Sequence, residues 1–259
     1  VTQSEPSWLP PIIGESSALY SLPLNLPPEN LAWWEVFKFT VESIDLAYRR
    51  VVAALQSIPW EYNGEDNGAV VGRAHIDAWA MVDAVWRLAD EVLQRRPTGT
   101  VKRDPSHPQA GALKKFSESA KDARGLRNML HHPTTDSHAI AAARAGESSL
   151  GEVHWTATLP TQDWAARVMI PTPPRGEFKG KRALLKGPRE HPIDGVYLLW
   201  HGIECSLTDR HASTRELVSA VDSQLAPQAV GRPSGLPGLV LTFATVHTHA
   251  IRESKPRSK

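Results

Sequence analysis

A single cysteine, Cys205, stands in 259 residues, so no internal disulfide can form and the composition fits a reducing compartment. Neither charge is in surplus. The 29 Lys and Arg face 28 Asp and Glu, a formal net charge of +1, which argues against a dedicated nucleic-acid coat protein. No apolar run approaches the roughly 20 residues of a membrane helix. The first residues are polar and proline-rich instead of basic and then apolar, unlike a secretory signal. A cytoplasmic protein with no membrane association is the expectation. The chain also lacks a glycine-rich phosphate loop, and Ser206 and Ser219 lie in no nucleophile-elbow pattern, so nucleotide-fold and serine-hydrolase readings gain no support. There are no internal repeats. What remains, at 41% hydrophobic and 22% charged residues, is a soluble globular chain long enough for one large domain or two ordinary ones.

The pattern divides the chain into three parts. Residues 1–27 carry several prolines and scattered apolar side chains such as Trp8, Ile12, Ile13 and Leu24, which predicts an extended arm that packs on the rest. Residues 28–145 read as an antiparallel helical bundle. After the Pro27-Pro28-Glu29 entry, Trp34, Phe37, Val41, Ile44, Tyr48, Val51 and Leu55 keep a three-four alternation, the signature of one helix face. Residues 59–67 form a turn. A second helix carries Val71, Ala74, Ala78, Met81, Val85, Leu88 and Val92. A parallel stripe of His75, Trp79, Val82, Trp86 and Leu93 widens its apolar face, as expected of a central bundle helix. After a break over residues 96–108, a third helix has Leu113, Phe116, Ala120, Ala123 and Leu130 on one face. Ser137 to Ala145 suits a short fourth helix, and residues 146–151 a linker.

Residues 150–259 change rhythm. Val153, Trp155, Ala157 and Leu159 alternate with polar residues, the period of a half-buried strand. Ala166 to Pro171, Val196 to Cys205 and Leu239 to Ile251 also read as extended. Ser213-Thr214-Arg215-Glu216 has the form of a capping box opening a helix with Leu217, Val218, Val221 and Leu225 inward. The predicted class is α+β: an N-terminal helical bundle followed by a smaller β-rich region with one helix and no assigned role.

One segment carries candidate chemistry. Arg127-Asn128-Met129-Leu130-His131-His132-Pro133 closes the third helix. Arg127 occupies the step where the apolar seam skips, and a guanidinium beside a packing seam must meet a carboxylate, a polar cleft or an anionic ligand. Asp83 and Asp90 are the candidate carboxylates for a purely structural ion pair. Pro133 disfavours helix at His132, so His132 can turn back toward Arg127. In an unbroken helix His131 shares that face instead. An arginine and a histidine converging at a helix end suit a phosphodiester: the arginine stabilises charge on phosphorus and the imidazole moves a proton near neutral pH.

Arg127 and His132 in an Arg-x-x-x-x-His spacing, with the polar Asn128 after the arginine at the end of an internal helix, resemble the HEPN superfamily. Residues 74–79 and Val82-Asp83 on the preceding helix add to the likeness, which spans roughly Pro28 to Ala145. The resemblance implies a metal-independent ribonuclease whose site is composite across a homodimer, with Arg127, His132 and Asn128 as site residues and His131 as the alternate. It implies no cofactor and no metal. It also suggests a toxin or defence role, with RNA and an antitoxin or other protein as candidate partners. A non-catalytic module binding RNA, a nucleotide or a protein is the rival reading.

Other constellations are weaker. Basic residues cluster from Lys102 to Arg127, from Arg175 to Arg189 and from Arg252 onward; such patches attract RNA phosphates, though solvated faces are commoner. His247 and His249 share a strand face and, with His201 or His154, fall short of a complete metal shell. Among the 9 tryptophans, Trp33, Trp34 and Trp200 invite a base-stacking reading. The placement of Trp34, Trp79 and Trp86 on helix seams favours core packing.

Overall fold

The computed structural model describes residues 9–22, 26–58, 68–97, 108–131, 150–159, 162–169 and 193–228. The first long helix, α1, spans Pro28–Gln56. Pro28 suits the first turn because its missing N–H needs no intrahelical partner. The predicted seam is fully inward: Trp34, Phe37, Val41, Ile44, Tyr48, Val51 and Leu55 are all buried. Helix α2 covers Gly68–Trp86 and runs on into a π-helical turn at Arg87–Val92, where the Leu93 N–H reaches Leu88 O at 3.0 Å. Trp33 secures this wider turn by donating its indole N–H to Val92 O at 2.7 Å. As expected for a central helix, α2 packs against α1 and against elements from the second half of the chain.

The predicted third helix is in fact two, α3 at Pro108–Ser119 and α4 at Lys121–His131, separated at Ala120. Phe116, Ala120 and Ala123 are still buried across the break. The reading of the seam is corrected as well. Leu126, not position 127, takes the inward step between Ala123 and Leu130, and Leu126 is fully buried. One residue is about 100° on a helix, so Arg127 moves to the seam's flank.

Strands β1 (Glu152–Leu159), β2 (Gln162–Met169), β3 (Ile193–Trp200) and β4 (Ile203–Ser206) form one sheet in the order β2-β1-β3-β4, with every neighbouring pair antiparallel. The stretch predicted as one extended segment from Val196 to Cys205 is a hairpin. It turns at His201 and Gly202, both with positive φ, 49° and 77°, as two-residue hairpin loops require. On β1, Val153 and Trp155 face the core while His154 and Thr156 do not.

The last helix, α5, spans Leu207–Leu225 and begins six residues before the predicted capping box. Ser206 is the cap, accepting from the Asp209 N–H at 3.1 Å. Ser213 and Thr214 lie inside the helix and return their hydroxyls to Arg210 O at 3.1 and 2.7 Å, which removes them from capping. Leu217, Val218, Val221 and Leu225 are buried as predicted.

Helix α5 packs on α1, α3 and β3, β1 contacts α2, and β4 contacts α4. A single hydrophobic cluster therefore runs from Ile12 to Leu225. The N-terminal arm packs on this body, with a short 3-10 turn at Ala18–Tyr20. Ile12, Ile13 and Leu19 are buried, each contributing about 1.5–3 kcal/mol. Polar anchors come from both long helices: Ile12 N–H donates to Asp45 on α1 at 3.3 Å, Ser17 Oγ and Ala18 N–H both donate to Asp222 on α5 at 2.7 Å, and Arg215 donates to Pro10 O at 2.7 Å. Among the described residues no helix is long and apolar enough to cross a membrane. The predicted turn at 59–67, the short helix at 137–145, the basic stretch at 175–189 and the strand at 239–251 with His247 and His249 lie outside the described residues.

Candidate functional site

Helix α4 is amphipathic: Ala123 and Leu126 are driven inward, which leaves Arg124, Arg127 and Asn128 on the flank and outer face. Two arginines one turn apart then meet two aspartates two turns apart on α2 and its π extension. Arg124 makes a two-pronged pair with Asp90, Nε to Oδ2 at 2.6 Å and Nη2 to Oδ1. The Asp90 hydrogen bond raises the Arg124 pKa further above its ordinary range. Asp90 belongs to the π turn, so this pair fixes α4 against the irregular end of α2.

Arg127 is held differently. Its guanidinium carbon lies 3.4 Å from the centre of the Trp86 ring, a stacked cation–π arrangement. Its Nε is 3.6 Å from Asp83 Oδ1, close enough for charge attraction and too long for a hydrogen bond. That Nε is buried with no hydrogen-bond partner. Asp83 also receives Arg87 Nη2 at 2.9 Å, so one carboxylate serves two guanidinium groups. The Arg127 side chain remains 24% exposed. The result is a cation stacked over an indole, with part of its side chain reachable from solvent.

The other predicted site residues distribute as follows. Asn128 is exposed on α4. His131 is the final residue of α4, four positions beyond Arg127. His132 and Pro133 lie outside the described residues. Of the weaker metal candidates, His154 pairs with Glu152 at 3.0 Å, and His201 sits in the hairpin turn against the Trp200 ring. The tryptophans singled out for stacking are core residues: Trp33, Trp34 and Trp200 are all buried.

A second constellation is invisible in the sequence. Asp45 on α1 accepts from His211 Nε2 at 2.7 Å and from Arg49 Nε at 3.0 Å, and the Tyr48 ring stacks on His211 with centroids 4.3 Å apart. Burial would raise the Asp45 pKa, but the His211 hydrogen bond and the Arg49 charge prevail and hold it below the usual carboxylate value. The hydroxyls of Ser213 and Thr214 on the same helix bond to backbone. Asp45 also holds the Ile12 N–H, which makes this group an anchor for the arm. With 166 residues between its partners, no local pattern could have flagged it.

Similarity to known proteins adds no constraint: no family model, no curated protein and no solved structure matches the chain significantly.

Proposed function

We propose that the chain is a metal-independent endoribonuclease with a HEPN-like helical domain, acting at the C-terminal end of α4. The observation that carries this reading is Arg127, a permanent cation pre-oriented on Trp86 and partly exposed, placed one turn before the helix end that precedes His132. A guanidinium held flat spends little entropy on engaging a phosphate, and its edge offers paired N–H donors to non-bridging oxygens. His132, or His131 at the end of α4, removes the proton from the attacking RNA 2′-hydroxyl or protonates the leaving 5′-oxygen. Arg127 stabilises the charge on the phosphorane, and Asn128 orients the turn or the phosphate. The products are a 2′,3′-cyclic phosphate and a 5′-hydroxyl. The family likeness adds a site shared across a homodimer and a toxin-like role with a protein partner.

The test is cleavage of end-labelled RNA in EDTA by wild type, Arg127→Ala and His132→Ala, with analysis of the 3′ ends. Cyclic phosphate from wild type alone supports the proposal. Cleavage of DNA as readily as RNA overturns it, because DNA has no attacking hydroxyl.

A second reading is favoured by the Asp83 ion pair. In it Arg127 clamps α4 to α2, and the domain binds RNA, a nucleotide or a protein without turnover. It expects no cleavage by wild type, and a lowered melting temperature for Arg127→Ala with binding retained in His132→Ala.

A further inference from the structure

We infer that the cleft between the end of the π turn and α3 binds a small phosphate monoester. It encloses about 400 Å³, with Gln94 and Arg96 on the side of the turn, Lys114 and Ser117 on the side of α3, and Leu93 and Leu113 behind them. That volume lies in the range of small-molecule sites. The grooves beside Asp45 and Asp77 carry their own counter-ions in their walls. Here, among the described residues, the lining holds two cations and no carboxylate. Arg96 is set in place, because its Nη1 donates to Leu93 O at 2.6 Å and so ties the guanidinium to the wall of the cleft. Lys114 has an ion-pair partner in Glu118, but the two are 3.9 Å apart and 78% and 58% exposed, a pairing worth little in water. No described residue is hydrogen-bonded to the Gln94 amide or to the Ser117 hydroxyl.

Donor geometry and charge name the ligand. A planar carboxylate is satisfied by the fork of a single guanidinium. This cleft instead offers a guanidinium, an ammonium, an amide and a hydroxyl from two separate walls, a set that suits the tetrahedral oxygens of a phosphate. Two cations match the charge of about −1.5 to −2 that a phosphate monoester carries near neutral pH. A diester of a nucleic-acid backbone brings one negative charge per phosphate and leaves half of that pair uncompensated. Leu93 and Leu113 are buried and give the carbon skeleton of the ester an apolar wall. Gln94 stands roughly 16 Å along the helix axis from Asp83, so the cleft is separate from the Arg127 site. It does not rest on the ribonuclease reading, and the two can fail separately.

The experiment is isothermal titration of the full chain with glycerol 3-phosphate at constant ionic strength, beside dimethyl phosphate and a short RNA lacking terminal phosphates. The variants are Lys114→Ala, Arg96→Gln and, as a control for general charge, Lys115→Ala, whose lysine pairs with Glu216 instead. Circular dichroism checks the fold of each, and the exposure of Lys114 makes its variant the one that bears on binding alone. The expected result is one saturable site for glycerol 3-phosphate with a Kd below about 1 mM. Affinity falls at least about tenfold in Lys114→Ala and Arg96→Gln and is unchanged in Lys115→Ala. It also weakens as pH drops through about 6, where the monoester takes up a proton. No saturation by about 10 mM, or an affinity indifferent to Lys114→Ala, overturns the site. Dimethyl phosphate binding as tightly as glycerol 3-phosphate, or the RNA displacing it with higher affinity, overturns the monoester and gives the cleft to a diester backbone.

Discussion

Replacing Asp45 by alanine tests how the arm and the two long helices are joined. The substitution removes a buried carboxylate that binds His211 at 2.7 Å, Arg49 at 3.0 Å and the Ile12 N–H at 3.3 Å. It takes the carboxylate away from a buried guanidinium and a buried imidazole, and breaking a buried ion pair costs about 3–5 kcal/mol. For a protein of this size each kcal/mol moves the midpoint about 2–4 °C, so Tm falls by roughly 6–20 °C. Asp45→Asn keeps one acceptor oxygen and loses less.

The pH dependence has a definite sign. The folded Asp45 pKa lies below its ordinary value, so the contribution is fully present above the unfolded pKa of about 3.9 and is lost as pH falls through the folded value. The Asp45 charge contribution to the stability gap between wild type and Asp45→Ala is therefore retained down to about pH 5 and shrinks below about pH 4. Urea denaturation at several pH values measures the gap, and limited proteolysis reports whether residues 9–22 detach first. A loss under about 1 kcal/mol, in the range of an exposed ion pair, or a gap that does not narrow in acid, refutes the anchoring role.

Two further substitutions separate strain from crowding. Gly151 and Gly202 share φ of 77°, but a Cβ at Gly151 lies 2.6 Å from Leu199 O while one at Gly202 meets nothing. Gly202→Ala should cost about 1–2 kcal/mol and Gly151→Ala about 3 kcal/mol or more; equal costs in chemical denaturation would refute the comparison. Burial pushes the His75 imidazole below its ordinary pKa, against the raising effect of its hydrogen bond to Leu150 O. The folded state holds the ring neutral, so its contribution is present above about pH 6.5 and is lost below it, by up to about 1.4 kcal/mol per pH unit. Melting of wild type against His75→Gln from pH 7.5 to 5.5 checks this, and a constant difference between them contradicts it.

Much of the helical frame was legible because burial is periodic. The α1 seam residues, Ala74, Ala78, Met81 and Val85 on α2 and Leu88 on its π extension are all inward, and the alternation on β1 places Val153 and Trp155 correctly. Features that depend on partners distant in the chain were not legible. The π turn rests on Trp33 reaching Val92 across 59 residues. The start of α5 was misplaced because Ser213 and Thr214 look like caps until their hydroxyls are seen returning to Arg210 O. At the candidate site the pattern marked Arg127 as anomalous and offered Asp83 or Asp90 as a partner; Asp83 lies beside it, while Asp90 pairs with Arg124. It gave no sign that Trp86, one member of an apolar stripe, would lie flat against the guanidinium, since stacking depends on how α4 crosses α2.

The arm's anchors also set an order in time. Pro10, Ser17 and Ala18 hold residues of α5 some 205 positions later in the chain. At about 5–20 residues per second of synthesis, roughly 10–40 s pass between the emergence of the two. During that interval Ile12, Ile13 and Leu19 have no completed surface to cover them, although α1, with Asp45, is already made. The arm therefore lacks its α5 anchors until the last described helix appears, and a chain stopped before Arg215 and Asp222 would leave it with the Asp45 contact of α1 but without those anchors.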